Sequence, residues 1–350
     1  MINRFIIFIL FILCSCNKYE PICECINVPD PTPMSLSYPN NFPSPNIPVW
    51  NPLTEEGVNL GRHLFYDPIL SSDNTVSCAS CHKLTSAFAD DSQYSIGVGQ
   101  ALGERNAPTI MNVAFQNVFD WDGKSSSLEQ QAVRPIFNEV ELHNNNWTEV
   151  ISRLKMSELY SSLFCAAFGT EDIDSLHILM AISQFERTLN SFNSRFDQWF
   201  YNGGPYTPEE MDGFNIFATE RGDCFHCHPI GLFTDNTFHN NGLDSDFNDL
   251  GRYNITGNPL DEGLFKSPTL RNIEFTAPYM HDGRFNTLDE VIEHYNFGGY
   301  DSPTVDPLMK YVGKGLLLTE QEKSNLKAFL LSLSDSSFIN NLEHANPFYE

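Results

Sequence analysis

Apolar side chains recur at helical spacing along most of the chain, and no strand signal is longer than a few residues. This periodicity predicts a mostly α-helical fold. Predicted helices cover residues 54–65, 125–134, 147–168 and 173–200, and capping boxes start three more at Thr207, Thr287 and Thr319.

Breaks in the pattern divide the chain into segments. Asn202-Gly203-Gly204-Pro205 interrupts the helical periodicity and separates a first domain, residues 53–204, from a second, residues 205–340. Residues 17–52 are rich in proline, which favours an extended, poorly packed tether. Residues 1–16 form a targeting segment.

Composition and charge narrow the function classes. Hydrophobic residues make up 41% of the 350 residues, enough to build a core. The chain has 45 acidic and 20 basic residues, a net charge of −25, so it should repel nucleic acid and suit a basic protein partner. No apolar run reaches the roughly 18 residues of a membrane span.

The N-terminus predicts export. Arg4 precedes a short apolar run that ends in Leu13-Cys14-Ser15-Cys16 and resembles a lipobox, which makes Cys16 the lipidated residue. A plain secretory signal, with Cys16 incidental, is the alternative. In both cases the protein works outside the cytoplasm, and a lipid would anchor it in the cell envelope, facing the periplasm. Cys23 and Cys25 could then be oxidised or idle.

Four cysteines form two attachment motifs. Cys78-Ala79-Ser80-Cys81-His82 and Cys224-Phe225-His226-Cys227-His228 are both C-x-x-C-H, the signature of covalently bound haem c. Two thiols three residues apart reach the vinyl groups on one haem edge, and His82 or His228 then ligates the iron. A zinc site or a thiol redox pair would not need histidine after both pairs. Cys165, in an apolar setting, is predicted to be a small core residue.

Further ordered motifs give the chain a family resemblance. Residues 59–335 resemble the bacterial di-haem cytochrome c peroxidase family, which includes MauG. The matching segments are Leu60-Gly61-Arg62-His63-Leu64-Phe65-Tyr66-Asp67, Ser77 to His82, Arg105-Asn106-Ala107-Pro108-Thr109, Trp121-Asp122-Gly123, Glu129-Gln130-Gln131-Ala132, Cys224 to His228, Pro268-Thr269-Leu270-Arg271-Asn272 and Ala277 to Gly283. The resemblance implies two c-type cytochrome domains, each packed around one covalently attached haem.

By the same resemblance, peroxide binds at the N-terminal haem. Glu141 and Gln131 match the distal-pocket positions, where heterolysis of the O–O bond needs a group that takes and returns a proton. Pro135 would shape the pocket. Trp121 matches the tryptophan between the haems, where a ring can relay an electron. Without the resemblance, Glu141 would be an ordinary surface carboxylate and Trp121 a core residue.

Two positions depart from many members of the family. Val98 stands where a histidine ligates the resting peroxidatic iron, so we expect an open iron that needs no reductive activation, as in MauG. Tyr295 stands where a methionine ligates the second haem. It shares an apolar helical stripe with Val291 and Ile292, which points it inward. Tyrosinate would lower the potential of the second haem; His294 or Met280 are the alternative ligands.

A calcium ion and haem propionates complete the expected site. The family's interdomain Ca²⁺ positions match Asn106, Thr276 and Pro278, whose oxygens suit a hard cation. Four cations are candidate partners of the propionates, because ion pairs with carboxylates are strong: Arg105, Arg252, Lys266 and Arg271.

Three functions remain open from the sequence. The first is a peroxidase that reduces hydrogen peroxide with electrons from a small c-type cytochrome or similar donor. The second is a MauG-like oxidase that uses peroxide to modify residues of a partner protein. The third is a non-catalytic di-haem electron carrier, which Gln131 and Glu141 disfavour. A homodimer is compatible with the sequence.

Overall fold

A computed structural model describes residue 25 and residues 28–349, and within them the protein is mostly helical. The lipobox, with Cys16, lies outside these residues. The helices are α1 (Glu55–Tyr66), α2 (Cys78–Cys81), α3 (Leu128–Phe137), α4 (Trp147–Lys155), α5 (Glu158–Phe168), α6 (Ser175–Thr188), α7 (Arg195–Asn202), α8 (Pro208–Phe217), α9 (Tyr253–Thr256), α10 (Leu288–Phe297), α11 (Glu320–Ser332) and α12 (Ser336–Ile339). Strands β1 (Phe238–His239) and β2 (Phe265–Lys266) pair antiparallel. None of the described helices is long and apolar enough to cross a bilayer.

Each C-x-x-C-H motif follows a helix that is packed closely against another. Helix α1 crosses α6 at Gly61, where an added Cβ would lie 1.9 Å from the carbonyl oxygen of Ala181. Helix α8 crosses α11 at Gly213, where a Cβ would lie 1.9 Å from the carbonyl oxygen of Asn325. A side chain at either glycine would therefore force these helices apart.

Each half contributes a helix to the hydrophobic core of the other half. The first core cluster contains Leu60, Phe164 and other side chains of α1, α3, α5 and α6. Phe196 of α7 is fully buried in the second cluster, among Phe217, Phe233 and Phe329. Phe338 of α12 packs in the opposite direction, with Phe65 and Phe88 of the first half. Helix α7 thus packs with the second core although it precedes the predicted boundary at Gly203-Gly204.

A structural repeat relates residues 106–137 to residues 266–297 at a constant spacing of 160 residues. Left-handed backbone, β-bridges and a helix recur in the same order in both halves. The matched features are Asn112 and Asn272, Asp120 and Met280, Gly123 and Gly283, the bridges Phe119–Ser125 and Tyr279–Phe285, and helices α3 and α10. The repeat therefore gives a residue-by-residue comparison of these two segments, although the two C-x-x-C-H motifs are 146 residues apart.

Reciprocal hydrogen bonds join the halves at matched positions of this repeat. The backbone N–H of Asn106 donates to the carbonyl of His281 at 2.8 Å. Its counterpart, the N–H of Lys266, donates to the carbonyl of Trp121 at 2.7 Å. Buried backbone groups need such partners, so each half supplies a hydrogen-bond acceptor that a loop of the other half requires.

Two predicted helices are each divided in the structure. The segment 147–168 breaks at Ser157, and 173–200 breaks between Thr188 and Arg195. The second break follows local chemistry, because Ser194 and Asp197 form a capping box that starts α7. Apolar residues continue at helical spacing across both breaks, so the hydrophobic pattern alone does not reveal where the helices end.

The proline-rich segment lies along the body, which corrects the expectation of a poorly packed spacer for residues 28–52. The N–H of Met34 donates to the carbonyl of Leu53, and Asn46 bonds to the backbone of Ala114 and Gln116. Asn51 is fully buried. The segment thereby covers part of the first half.

A disulfide joins Cys25 to Cys165 of α5, across 140 residues of sequence. The prediction of Cys165 as a simple core residue is therefore wrong. Cys25 is oxidised, one of the two alternatives that its sequence left open. Structural disulfides are typical of compartments outside the cytoplasm.

Replacing Thr207 by alanine should lower the free energy of unfolding by about 1 kcal/mol, because an N-cap is lost. Thr207 Oγ1 accepts the N–H of Glu210, and the Glu210 carboxylate accepts the N–H of Thr207. Denaturant unfolding of the holoprotein, followed by circular dichroism, measures the change. The matched T207S variant keeps the hydroxyl and should lose much less; equal losses in both would contradict the capping role.

Candidate active site and electron-transfer site

The first C-x-x-C-H motif opens onto a cavity of about 1150 Å³. Cys78, Cys81 and His82 lie on one wall, and helix α3 with the loop that follows it forms another. The short helix α2 holds the motif, and its capping box at Ser77 and Ser80 fixes where the helix begins. The two thiols are free, as covalent attachment of a group requires.

His82 is held in the form that binds a metal. Its Nδ1 donates to the carbonyl of Phe88 at 2.9 Å, which leaves Nε2 as the available ring nitrogen. Burial lowers the pKa of His82, so the imidazole is neutral. Phe88 adopts left-handed backbone at φ 60°, which turns its carbonyl toward the ring.

Gln131 and Glu141 both line this cavity, as the resemblance predicts. Burial raises the pKa of Glu141, while a hydrogen bond from Asn138 Nδ2 at 2.5 Å favours its carboxylate form. A positioned carboxyl group can accept a proton and return it. Gln131 projects from α3 and offers both a donor and an acceptor.

Among the described residues that line the cavity, Val98 is absent. Its side chain packs against the first core cluster, and its N–H donates to the carbonyl of Glu141 at 2.9 Å. Gly97, which does line it, approaches the carbonyl of Val140 so closely that a Cβ would lie 2.1 Å away. This loop therefore supports the backbone of Glu141.

Three charged residues of this cavity were missed by the sequence analysis. Arg134 and Asp120 face each other at 3.6 Å, and Glu186 of α6 is buried beside Cys78. Burial raises the pKa of Glu186 to about 8. Of the three, only Arg134 had a sequence signal: it lies three residues after Gln131, on the same face of the helix.

The second motif opens onto a smaller cavity of about 240 Å³. Cys224, Cys227 and His228 line it, and both thiols are free. His228 repeats the geometry of His82, since its Nδ1 donates to the carbonyl of Phe233 at 2.9 Å and burial lowers its pKa. Phe233 also has left-handed backbone, at φ 53°.

Tyr295 of α10 faces the second cavity, and one of its alternatives does not. His294 is absent from the described lining, and its Nε2 contacts the carbonyl of Asn241 at 3.1 Å. Met280 does line the cavity. Asn241 Nδ2 lies 3.3 Å from the Tyr295 hydroxyl and 3.6 Å from the Met280 sulfur. Burial raises the pKa of Tyr295 to about 12, so only a bound cation would make it a phenolate.

The 160-residue repeat explains an asymmetry between the two cavities. Helices α3 and α10 are matched along their full length, which places Pro135 in the register of Tyr295. Pro135 lines the first cavity but has no metal-binding atom in its side chain. The same helix position thus offers a ligand in the second half and none in the first.

Trp121 lies between the cavities and lines both. Its indole Nε1 donates to the carbonyl of Asn106 at 2.8 Å, which fixes the ring. His281, its counterpart in the repeat, stacks on Phe265 with ring centroids 3.7 Å apart. Aromatic rings therefore fill the contact between the halves.

The four candidate propionate partners differ in their surroundings. Arg105 binds Asp122 and Asp249, and it lines the first cavity. Lys266 lines both cavities, and among the described residues its Nζ donates to neutral oxygens of Gln116 and Val118; burial lowers its pKa to about 8.

Arg271 and Arg252 line neither cavity in the described part of the chain. Arg271 is fully buried and makes a bidentate pair with Asp197, and Arg252 lies over the Phe238 ring. The position of Arg271 outside both linings and its bidentate pair with Asp197 argue against its contact with a propionate.

The three expected calcium ligands line the second cavity together. Asn106 is buried, and its amide nitrogen donates to the carbonyl of Ser92 at 2.9 Å, which directs its oxygen away from that loop. Thr276 and Pro278 flank the cis Ala277–Pro278 peptide bond. Calcium remains a prediction.

The residues present fit two covalently attached haems. Each cavity combines two free thiols with an imidazole fixed through Nδ1; the second is lined mainly by apolar side chains, whereas the first also carries charged ones. A four-cysteine zinc site is excluded, because the two pairs open onto separate cavities.

Comparisons with known proteins agree with this arrangement. Residues 55–204 match a family model described as di-haem cytochrome c peroxidase. The chain is 37% identical over 299 residues to the methylamine utilization protein MauG of Methylorubrum extorquens, covering 84% of this chain and 82% of that protein. It is 34% identical over 259 residues to cytochrome c551 peroxidase of Nitrosomonas europaea, covering 72% and 76%. A crystal structure of a MauG-like protein associated with microbial copper homeostasis superposes with a TM-score of 0.84 at 35% identity, covering 90% and 99%.

Proposed function

Since the chain belongs to the di-haem cytochrome c peroxidase family, whose members carry two haems c and use peroxide as acceptor, we propose that it reduces hydrogen peroxide to water at the haem of Cys78, Cys81 and His82. The observation that carries this proposal is the placement of Glu141, half-buried and with a raised pKa, in the cavity of that motif. The second haem, at Cys224 and Cys227, supplies the electrons.

Different residues of the first cavity transfer the proton and bind the peroxide. The haem supplies the iron at which the O–O bond is cleaved. Glu141 takes one proton from hydrogen peroxide and returns it to the departing oxygen, which leaves as water. Asn138 orients the carboxylate, and Gln131 holds the peroxide by hydrogen bonds. The overall reaction consumes two electrons and two protons for each peroxide and releases two waters.

Electrons reach the first cavity from a donor outside the protein. We propose a small c-type cytochrome or similar protein, which delivers them to the haem of His228; the net charge of −25 favours a basic partner. Tyr295 is the proposed second ligand of that haem. The ring of Trp121, in contact with both cavities, is the proposed relay.

A second candidate function is a MauG-like oxidase that uses peroxide to modify residues of a partner protein. Tyr295 supports it, because a phenolate ligand stabilises oxidised iron and favours an enzyme that stores oxidising equivalents. The 37% identity to a methylamine utilization protein also supports it.

Location and calcium complete the proposal. Export with a lipid at Cys16 agrees with the Cys25–Cys165 disulfide, since an oxidising compartment is needed to form it. A Ca²⁺ ion at Asn106, Thr276 and Pro278 would tie the halves together beside their reciprocal hydrogen bonds.

Stopped-flow mixing tests the function. The fully ferric, never-reduced protein is mixed with hydrogen peroxide and a reduced small c-type cytochrome, and cytochrome oxidation is followed together with the haem bands. We expect rapid turnover without prior reduction, because Val98 and Pro135 offer no ligand to the first iron. A persistent oxidised haem spectrum with little cytochrome oxidation would favour the MauG-like function. No reaction at either haem would contradict an open site.

A further inference from the structure

The wall of the first cavity contains a partly exposed cation: the Arg134 side chain is 32% exposed and lines the cavity. The Nη1 atom of Arg134 is inaccessible to solvent and has no hydrogen-bond partner among the described residues. Asp120 Oδ2, at 3.6 Å, is equally buried and equally without a partner. The two charges attract each other, but the distance is too long for a hydrogen bond.

Arg134 faces the space in which the proposed reaction occurs. It lines the cavity with Gln131 and Glu141, and it lies one turn from Gln131 on α3. Burial raises the pKa of Glu141 and the positive charge of Arg134 lowers it, so the two groups interact electrostatically. A guanidinium carries five donors and stays protonated, so a small anion between Arg134 and Glu141 would gain a charged hydrogen bond.

We propose that Arg134 is the anion-binding residue of this cavity, and that Asp120 holds its guanidinium in place through the buried Nη1 while an exposed N–H of the same guanidinium donates to the anion. In turnover the anion is the hydroperoxide left after Glu141 takes the first proton. The step forms and breaks no covalent bond beyond that proton transfer. The inference rests on the proposed function, since it assigns a further residue to the same site.

Azide binding to the full-length ferric holoprotein tests this inference without turnover. Azide affinity is measured by titration of the haem absorption bands. The R134M variant should bind azide at least tenfold more weakly, in the range for loss of a charged hydrogen bond. D120N should bind azide severalfold more tightly, because the guanidinium no longer shares its charge with a carboxylate. Neutral imidazole should bind all three proteins within about twofold.

A matched control removes the same charge elsewhere. Arg195 pairs with Glu210 at the surface of the second half, and R195M should leave azide affinity within twofold. Equal weakening of azide and imidazole by R134M would mean that the pocket had collapsed, and would overturn the inference, as would unchanged azide affinity in R134M or weaker binding in D120N. Loss of azide selectivity in a protein that still reduces peroxide supports Arg134 as the anion site. If R134M keeps azide affinity while peroxide turnover persists, the inference alone fails.

Discussion

Replacing Glu141 by glutamine should lower kcat/KM for hydrogen peroxide by about 10²- to 10⁴-fold, the usual contribution of a positioned proton-transfer group. Glutamine keeps the size of the side chain and its contact with Asn138, but it cannot accept a proton. The loss should appear in the rate of the reaction with peroxide and leave both haems attached. Stopped-flow kinetics over a range of peroxide concentrations measures it.

The reaction with peroxide should also depend on pH through the ionisation of Glu141. Glu141 acts as a base only when ionised, and burial raises its pKa. In the native protein kcat/KM should therefore rise with pH through that raised pKa and fall as pH decreases below it. E141Q should lack this limb. The matched variant E149Q changes an exposed glutamate of α4 and should keep both rate and profile; a full rate in E141Q would assign the proton transfer to another group.

Replacing Tyr295 by methionine should raise the reduction potential of the second haem by more than about 0.1 V, part of the roughly 0.8 V range over which axial ligands set haem potentials. A phenolate stabilises ferric iron, whereas a thioether favours the ferrous state. Spectroelectrochemical titration of the holoprotein resolves the two haems. The first haem should change little, because Tyr295 lies on the second cavity only.

Matched variants separate the two ligands that the cavity offers. Y295F removes only the hydroxyl, and it should also raise the potential and alter the low-spin spectrum. M280L should leave the potential of the second haem nearly unchanged if Tyr295 is the ligand. The opposite pair of results, with Y295F silent and M280L effective, would assign the ligand to Met280, which lies beside the same Asn241 amide.

Sequence reasoning located the parts of the site that depend on local spacing. The two C-x-x-C-H motifs specify their own geometry, and the capping boxes at Thr207, Thr287 and Thr319 begin helices where predicted. The inward orientation of Tyr295 followed from helical phase alone. Family resemblance placed Gln131 and Glu141, which the structure brings to one cavity.

What sequence could not provide depends on contacts between distant segments. Cys25 and Cys165 are 140 residues apart, and no local pattern pairs them. Glu186 looks like an ordinary polar position of an amphipathic helix until the fold buries it beside Cys78. Arg271 looks like a surface charge until α7 brings Asp197 to it. Long-range burial, which changes the chemistry of each of these groups, is not visible in spacing.

If Cys16 carries a lipid, as proposed, the Cys25–Cys165 disulfide limits how far the enzyme can stand from the membrane. Without it, the next described contact with the body would be at Thr32, 16 residues after Cys16, a reach of about 54 Å at roughly 3.4 Å per residue. The disulfide fixes the chain nine residues after Cys16, which limits the distance between the lipid and the body to about 30 Å. The side of the molecule that carries α5 must then stay next to the bilayer. Reduction of this bond would free the chain only as far as Thr32, where hydrogen bonds to Glu55 and Glu56 hold it to the body.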